Sequence, residues 1–204
     1  MRGLLRLLAL LLIPGSSAAQ GAPPVVRDAL WVRLPGTCWE DFTVERDSVP
    51  FFPQLRVFVG RCTTYFGIPV TAAVGLDQDN LLYLLDSPTS FQLLERRFTA
   101  PAIDSSNALA YAFTAARLGG DVPWDASILM DSVADPDPRD QFPIYRIIGD
   151  CTGVRGPSVK VTPRSWEVAF DAITPWWLGR VSAFWFGGRS TVVTDTRCIV
   201  VHGN

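Results

Sequence analysis

The first 19 residues decide how the rest of the chain is read. Met1-Arg2-Gly3-Leu4-Leu5-Arg6 is a basic start, residues 7–13 are an unbroken apolar run, and Pro14-Gly15 breaks it. Ser17-x-Ala19 then places small residues at the two positions a signal peptidase recognises. The apolar run is far shorter than the roughly 20 residues a membrane-spanning helix needs, so the segment is expected to target the chain and not to anchor it. Cleavage after Ala19 leaves residues 20–204. The first cysteine is Cys38, too far along for a lipid-anchored N-terminus. The expected address is secreted or periplasmic, with no transmembrane anchor after cleavage.

Export puts the four cysteines, Cys38, Cys62, Cys151 and Cys198, in an oxidising compartment. Two disulfides are expected. Proximity along the chain favours Cys38–Cys62 and Cys151–Cys198, loops to which the chain-entropy model assigns roughly 3.5 and 4 kcal/mol. A zinc site is disfavoured because no Cys-x-x-Cys occurs and His202 is the one histidine.

About 185 mature residues suit one domain able to bury roughly 70% of its unfolded surface. Loss of Arg2 and Arg6 moves the formal charge from -2 to -4, spread along the chain, and no basic cluster remains beyond Arg96-Arg97. No nucleic-acid footprint is therefore expected. Lys160 is the single lysine among 18 basic residues, the usage of proteins from GC-rich bacterial genomes. Seven Trp and twelve Phe point to a dense core with an exposed aromatic surface.

Residues 25–33 read as a strand or a short helix, and 35–53 resist assignment. Residues 55–59 read as a strand running toward Cys62. The apolar runs 70–76 and 81–85 flank Asp77-Gln78-Asp79-Asn80, four residues of turn chemistry, and predict a β-hairpin. Ser87 before Pro88 predicts a short helix. Residues 104–118 predict the clearest helix: Asp104, Ser105 or Ser106 caps it, Leu109, Ala112, Phe113 and Ala116 form its stripe, and Gly119-Gly120 ends it. From 121 to 150, Asp131, Asp135, Asp137 and Asp140 alternate with prolines, as expected of a surface excursion. Residues 158–162, 166–173, 180–186 and 191–201 then read as strands, with Trp166, Val168 and Phe170 inward and Glu167 and Asp171 on the solvated face. The fold class is α+β: an antiparallel β-meander packed against one or two helices, in a single domain spanning 20–204. The order of helix, Trp-x-Val-x-Phe strand, turn, Val-x-x-Phe strand and Gly-Gly resembles, in layout only, small cystatin-like or PepSY-like domains, and no function is carried across.

Catalytic motifs are thin. There is no Gly-x-Ser-x-Gly, no Gly-rich phosphate loop and no His-Glu-x-x-His. The turn at Asp77 begins like a calcium loop but has Leu82 and Pro88 where the glycine and the final acid belong. Asp135, Asp137 and Asp140 are read as a solvated loop, and His202 as a frayed terminus. Glu167 and Asp171 on one strand stand about 13 Å apart, beyond the separation a glycosidase pair requires. Glu40-Asp41 is the remaining acidic pair. No cofactor or metal is expected.

Trp176-Trp177, between Pro175 and Gly179, is the candidate binding feature: adjacent tryptophans at a turn stack on a sugar or contact a protein or membrane partner, unless they fold back over the core. The expected function is that of a non-catalytic exported module binding a protein, peptide or glycan at the cell envelope. The alternative is a secreted hydrolase with an acid-dependent site.

Overall fold

The computed structural model describes residues 21–34, 38, 42–64, 69–85, 87–98, 102–130, 145–149, 154–174, 176–186 and 189–202. Pro24 opens the first helix, α1 (Pro24–Arg33), at a position where its missing N–H costs nothing. Val26 and Leu30, one turn apart, are its buried face. That settles residues 25–33 as a helix. The chain then leaves α1 in extended conformation at Leu34.

Four antiparallel strands form the first sheet in the order β1-β2-β3-β4: β1 (Thr43–Asp47), β2 (Arg56–Thr63), β3 (Pro69–Leu76) and β4 (Leu82–Leu84). Side chains alternate between two apolar environments. Val57, Val59 and Ala73 face the main core, while Phe58, Val74 and Leu76 face Val26 and Leu30 of α1. Burial on both faces explains why 70–76 reads as an apolar run. Gly60 lets α1 lie close, since an added Cβ would stand 3.3 Å from Leu30. The expected hairpin is present: Leu76 pairs with Leu82. Its turn is organised by Asp77, whose Oδ1 accepts the N–H groups of Asp79 and Leu81 at 2.9 and 2.8 Å while Asn80 takes φ 61°. Tyr83 Oη and Arg97 Nε both donate to Asp77 Oδ2 at 2.9 Å. Burial pushes this carboxyl upward, but the Leu81 N–H, the Tyr83 hydroxyl and Arg97 together hold it below its ordinary value.

Ser87 caps α2 (Pro88–Arg97) by accepting the N–H of Ser90, and Phe91 and Leu94 are buried beneath it. The next helix, α3 (Ala108–Leu118), begins four residues later than expected. Asp104 Oδ1 accepts the N–H and hydroxyl of Ser106, so its carboxylate closes a turn instead of capping a helix. The left-handed stop falls on Gly120, at φ 76°, while Gly119 remains right-handed.

The second sheet carries the C-terminal meander. β5 (Ser127–Ile128) and β6 (Tyr145–Gly149) flank it, and β7 (Ser158–Thr162), β8 (Ser165–Thr174), β9 (Trp177–Phe186) and β10 (Arg189–His202) are successive antiparallel neighbours. β6 pairs with β10 and β5 with the end of β8. As expected, α3 lies across the meander: Tyr111 meets Trp166 edge-on at 5.8 Å, and Phe113 meets Phe170 at the same distance. Trp166, Val168, Phe170, Ala172, Val181 and Ala183 form the sheet's inner face.

The class is α+β, but one meander with one or two helices understates it: the described residues form two antiparallel sheets and three helices. The polar strand β1, Thr-Val-Glu-Arg-Asp, lacks the apolar period that announces a strand, so the region 35–53 concealed it. Part of 121–150 is likewise strand. Cys38 and Cys62 are disulfide-bonded, Cα to Cα 5.8 Å, tying the chain beyond α1 to the end of β2. Cys198 is buried opposite Gly149 and is not a free thiol. Cys151, with Asp131, Asp135, Asp137, Asp140 and Glu40-Asp41, lies outside the described residues. His202 stands in β10 opposite Tyr145, so its backbone is paired and not frayed. Glu167 is exposed as expected, but Asp171 is fully buried, because residues beyond the meander cover that end of the sheet: its Oδ2 accepts the N–H of Arg155 at 2.6 Å. No described helix is long and apolar enough to cross a membrane.

Candidate functional site

One cleft, of about 540 Å³, opens where the two sheets and the end of α3 approach each other. Its volume lies in the usual range for ligand sites. The first sheet contributes residues 69–73 of β3, with Arg33 from the end of α1 beside them. The end of α3 and the turn after it contribute Arg117, Asp121, Trp124 and Asp125. The second sheet contributes Thr174, Trp176, Trp177 and Thr196 from the β8–β9 connection and β10.

Both tryptophans singled out in the sequence are therefore on the cleft, and both are half-buried. Trp176 sits at the turn, its N–H donating to Thr174 Oγ1 at 3.1 Å. Trp177 starts β9 and donates its indole N–H to Thr196 Oγ1 at 3.2 Å. Its ring lies back over Gly179, where any Cβ would collide with it. Thus Trp-x-Gly is a packing signal: the missing Cβ of Gly179 leaves room for the Trp177 indole over its own strand, at the wall of the cleft.

Arg117 is the charged centre of the opposite wall. Its guanidinium lies 4.9 Å from the ring centroid of Phe113 and 5.4 Å from that of Trp124, and its Nη2 donates to the Trp124 carbonyl. Its Nε is buried and makes no hydrogen bond among the described residues. Burial lowers the proton affinity of this guanidinium, with Asp47 and Asp125 acting in the opposite sense. Trp124 is held in turn by donating its indole N–H to Asp47 Oδ2 at 3.0 Å, which links the turn after α3 to β1. Asp121 is half-buried, and desolvation pushes its carboxyl up to about 6.

Of these residues, sequence reading singled out Trp176 and Trp177 only. Arg33, Arg117, Asp121, Trp124 and Asp125 come from two further stretches of chain, and a lone Arg near the end of an alanine-rich helix carries no signal of its own. Among the described residues no group of three or more His, Cys, Asp or Glu is placed to hold a metal ion. Against family models, curated proteins and solved structures, the chain has no match.

Proposed function

We propose that this protein is a non-catalytic exported binding module whose ligand occupies the cleft at Trp176 and Trp177. What supports the reading is convergence: two half-buried tryptophans, two guanidinium groups and two carboxyl groups line one open cavity from three separate parts of the chain. Aromatic faces supply contact area at low entropic cost, and a few fixed polar groups orient what they hold. The partner belongs to the class of proteins, peptides or glycans, and the site requires no cofactor.

The test is titration of the chain, labelled with ¹⁵N at its indoles, against short synthetic peptides and cello- and chito-oligosaccharides. A ligand of the cleft shifts the Trp176 and Trp177 indole signals, and Trp176→Ala with Trp177→Ala abolishes its binding while the fold persists. Binding undiminished by the double substitution would remove the cleft from consideration.

A second reading, an acid-dependent hydrolase, draws on one observation. Desolvation pushes the Asp121 carboxyl up to about 6, and Asp121 shares the cleft with a second carboxyl, that of Asp125, a supply of acidic groups that suits acid-assisted hydrolysis. Hydrolysis of any of the oligosaccharides above at pH 5, lost in Asp121→Asn, would establish it.

A further inference from the structure

Among the described residues, the wall that β3 contributes to the cleft is an open strand edge. β4 covers β3 only from Val74 to Leu76, extended by the Leu85 N–H, which donates to the Ala73 carbonyl at 3.1 Å. Backbone groups alternate in direction along a strand, so those of Thr71 and the carbonyl of Pro69 point the same way as that of Ala73. Among the described residues, no strand pairs with β3 on this side before Ala73, while β2 pairs with its other side along the full length. The same residues, 69–73, line the cleft. The four open residues, 69–72, extend about 10 Å, room for an added strand of three or four residues.

We infer that the cleft receives an extended peptide as an added strand on the β3 edge at residues 69–72, with a bulky apolar peptide side chain seated against Trp176 and Trp177. This rests on the cleft being the binding site and names the chemistry of its ligand. A saccharide would use the tryptophan faces but leave the backbone edge unsatisfied, whereas a peptide satisfies both: main-chain hydrogen bonds hold it and side-chain contacts select it. Arg33 and Arg117 stand with Asp121 and Asp125 on the same cleft, so the ligand is not selected by a single sign of charge. Pro69 at the start of the edge and the short exposed length limit the hazard of pairing with a second copy of the chain.

The experiment selects binders to the full exported chain from a library of random heptapeptides, then remakes the tightest as a scan of single N-methyl substitutions. Strand addition predicts a period of two: methylation at alternate residues weakens binding by about tenfold or more, and at the intervening residues by less than about twofold. The Thr71 amide gains protection from hydrogen exchange in the complex, and Trp176→Ala weakens binding. A flat N-methyl scan, or no protection at Thr71, overturns the inference. If an oligosaccharide shifts the Trp176 and Trp177 indoles and no peptide does, strand addition fails while the cleft stands as the site. If neither class shifts them, both readings fail.

Discussion

Arg180 of β9 places its Nη1 3.1 Å from Oδ1 of Asp171 on the neighbouring strand β8, and the carboxylate it meets is fully buried. Alternation alone assigns Asp171 to solvent. The chain around Arg155 crosses that face instead: its N–H donates to Asp171 Oδ2 at 2.6 Å, and its carbonyl accepts from Arg180 at 3.2 Å. Arg197 Nη1 stands 3.6 Å from the same carboxylate. Removing the carboxylate takes the ion-pair partner from Arg180 and the acceptor from the Arg155 N–H inside a buried site. Asp171→Ala should therefore cost about 3–5 kcal/mol, read from urea denaturation at neutral pH. A loss under about 1 kcal/mol would show that these groups find water instead.

Asp121 makes stability depend on pH in a stated direction. Its folded-state pKa, about 6, lies above the ordinary 3.8. The unfolded chain thus releases the proton first. The stabilisation from the protonated group is fully present below about pH 4 and is lost as pH rises through 6. Asp121→Asn, which stays neutral, should remove this slope and stabilise the protein near neutrality by on the order of 2 kcal/mol relative to wild type. Urea midpoints for both proteins at pH 4, 5, 6 and 7 read the difference. Parallel curves would mean that water reaches the carboxyl.

Peptide mapping without reductant should recover Cys38 joined to Cys62, with no thiol available to alkylation. Cys151 joined to Cys198 is the expected second pair. Replacing Cys38 and Cys62 by Ser should lower stability by about 3.5 kcal/mol, the value of a loop of this length in the unfolded chain. Recovery of Cys151 and Cys198 as alkylated thiols from the folded protein would contradict the second pairing.

Two aromatic truncations should separate the centre of the core from its margin. Phe52 is fully buried against Phe91, Phe98 and Tyr111, so Phe52→Ala should cost about 3–5 kcal/mol. Phe113, half-buried beneath Arg117, should cost distinctly less. Thermal melts under identical conditions compare the two. Equal losses would mean that the α3–β8 contact is as well packed as the Phe52 cluster.

Local patterns were legible wherever neighbours in sequence impose the conformation. Asp77 to Asn80 announced a turn because a short carboxylate caps its own backbone; Ser87-Pro88 announced a helix start; Trp166, Val168 and Phe170 announced one face of a strand. The apolar run 70–76 declared a strand but not that both its faces are covered, since periodicity records burial and not what does the burying. β1 left no such pattern, because in Thr-Val-Glu-Arg-Asp only Val44 packs on a core and the strand is held chiefly by pairing with β2.

The sequence by itself determined the α+β class, the hairpin, the order of the C-terminal strands and the candidacy of Trp176 and Trp177. The tertiary structure alone decided that the described strands form two sheets, that Asp171 is buried, and that Arg33, Arg117, Asp121 and residues 69–73 of β3 meet those tryptophans in one cleft. The reason is range: turns, caps and face periodicity are settled within a few residues, whereas a cleft exists only where segments as distant as Arg33, Thr71, Arg117 and Trp176 are brought together by packing that no local pattern encodes.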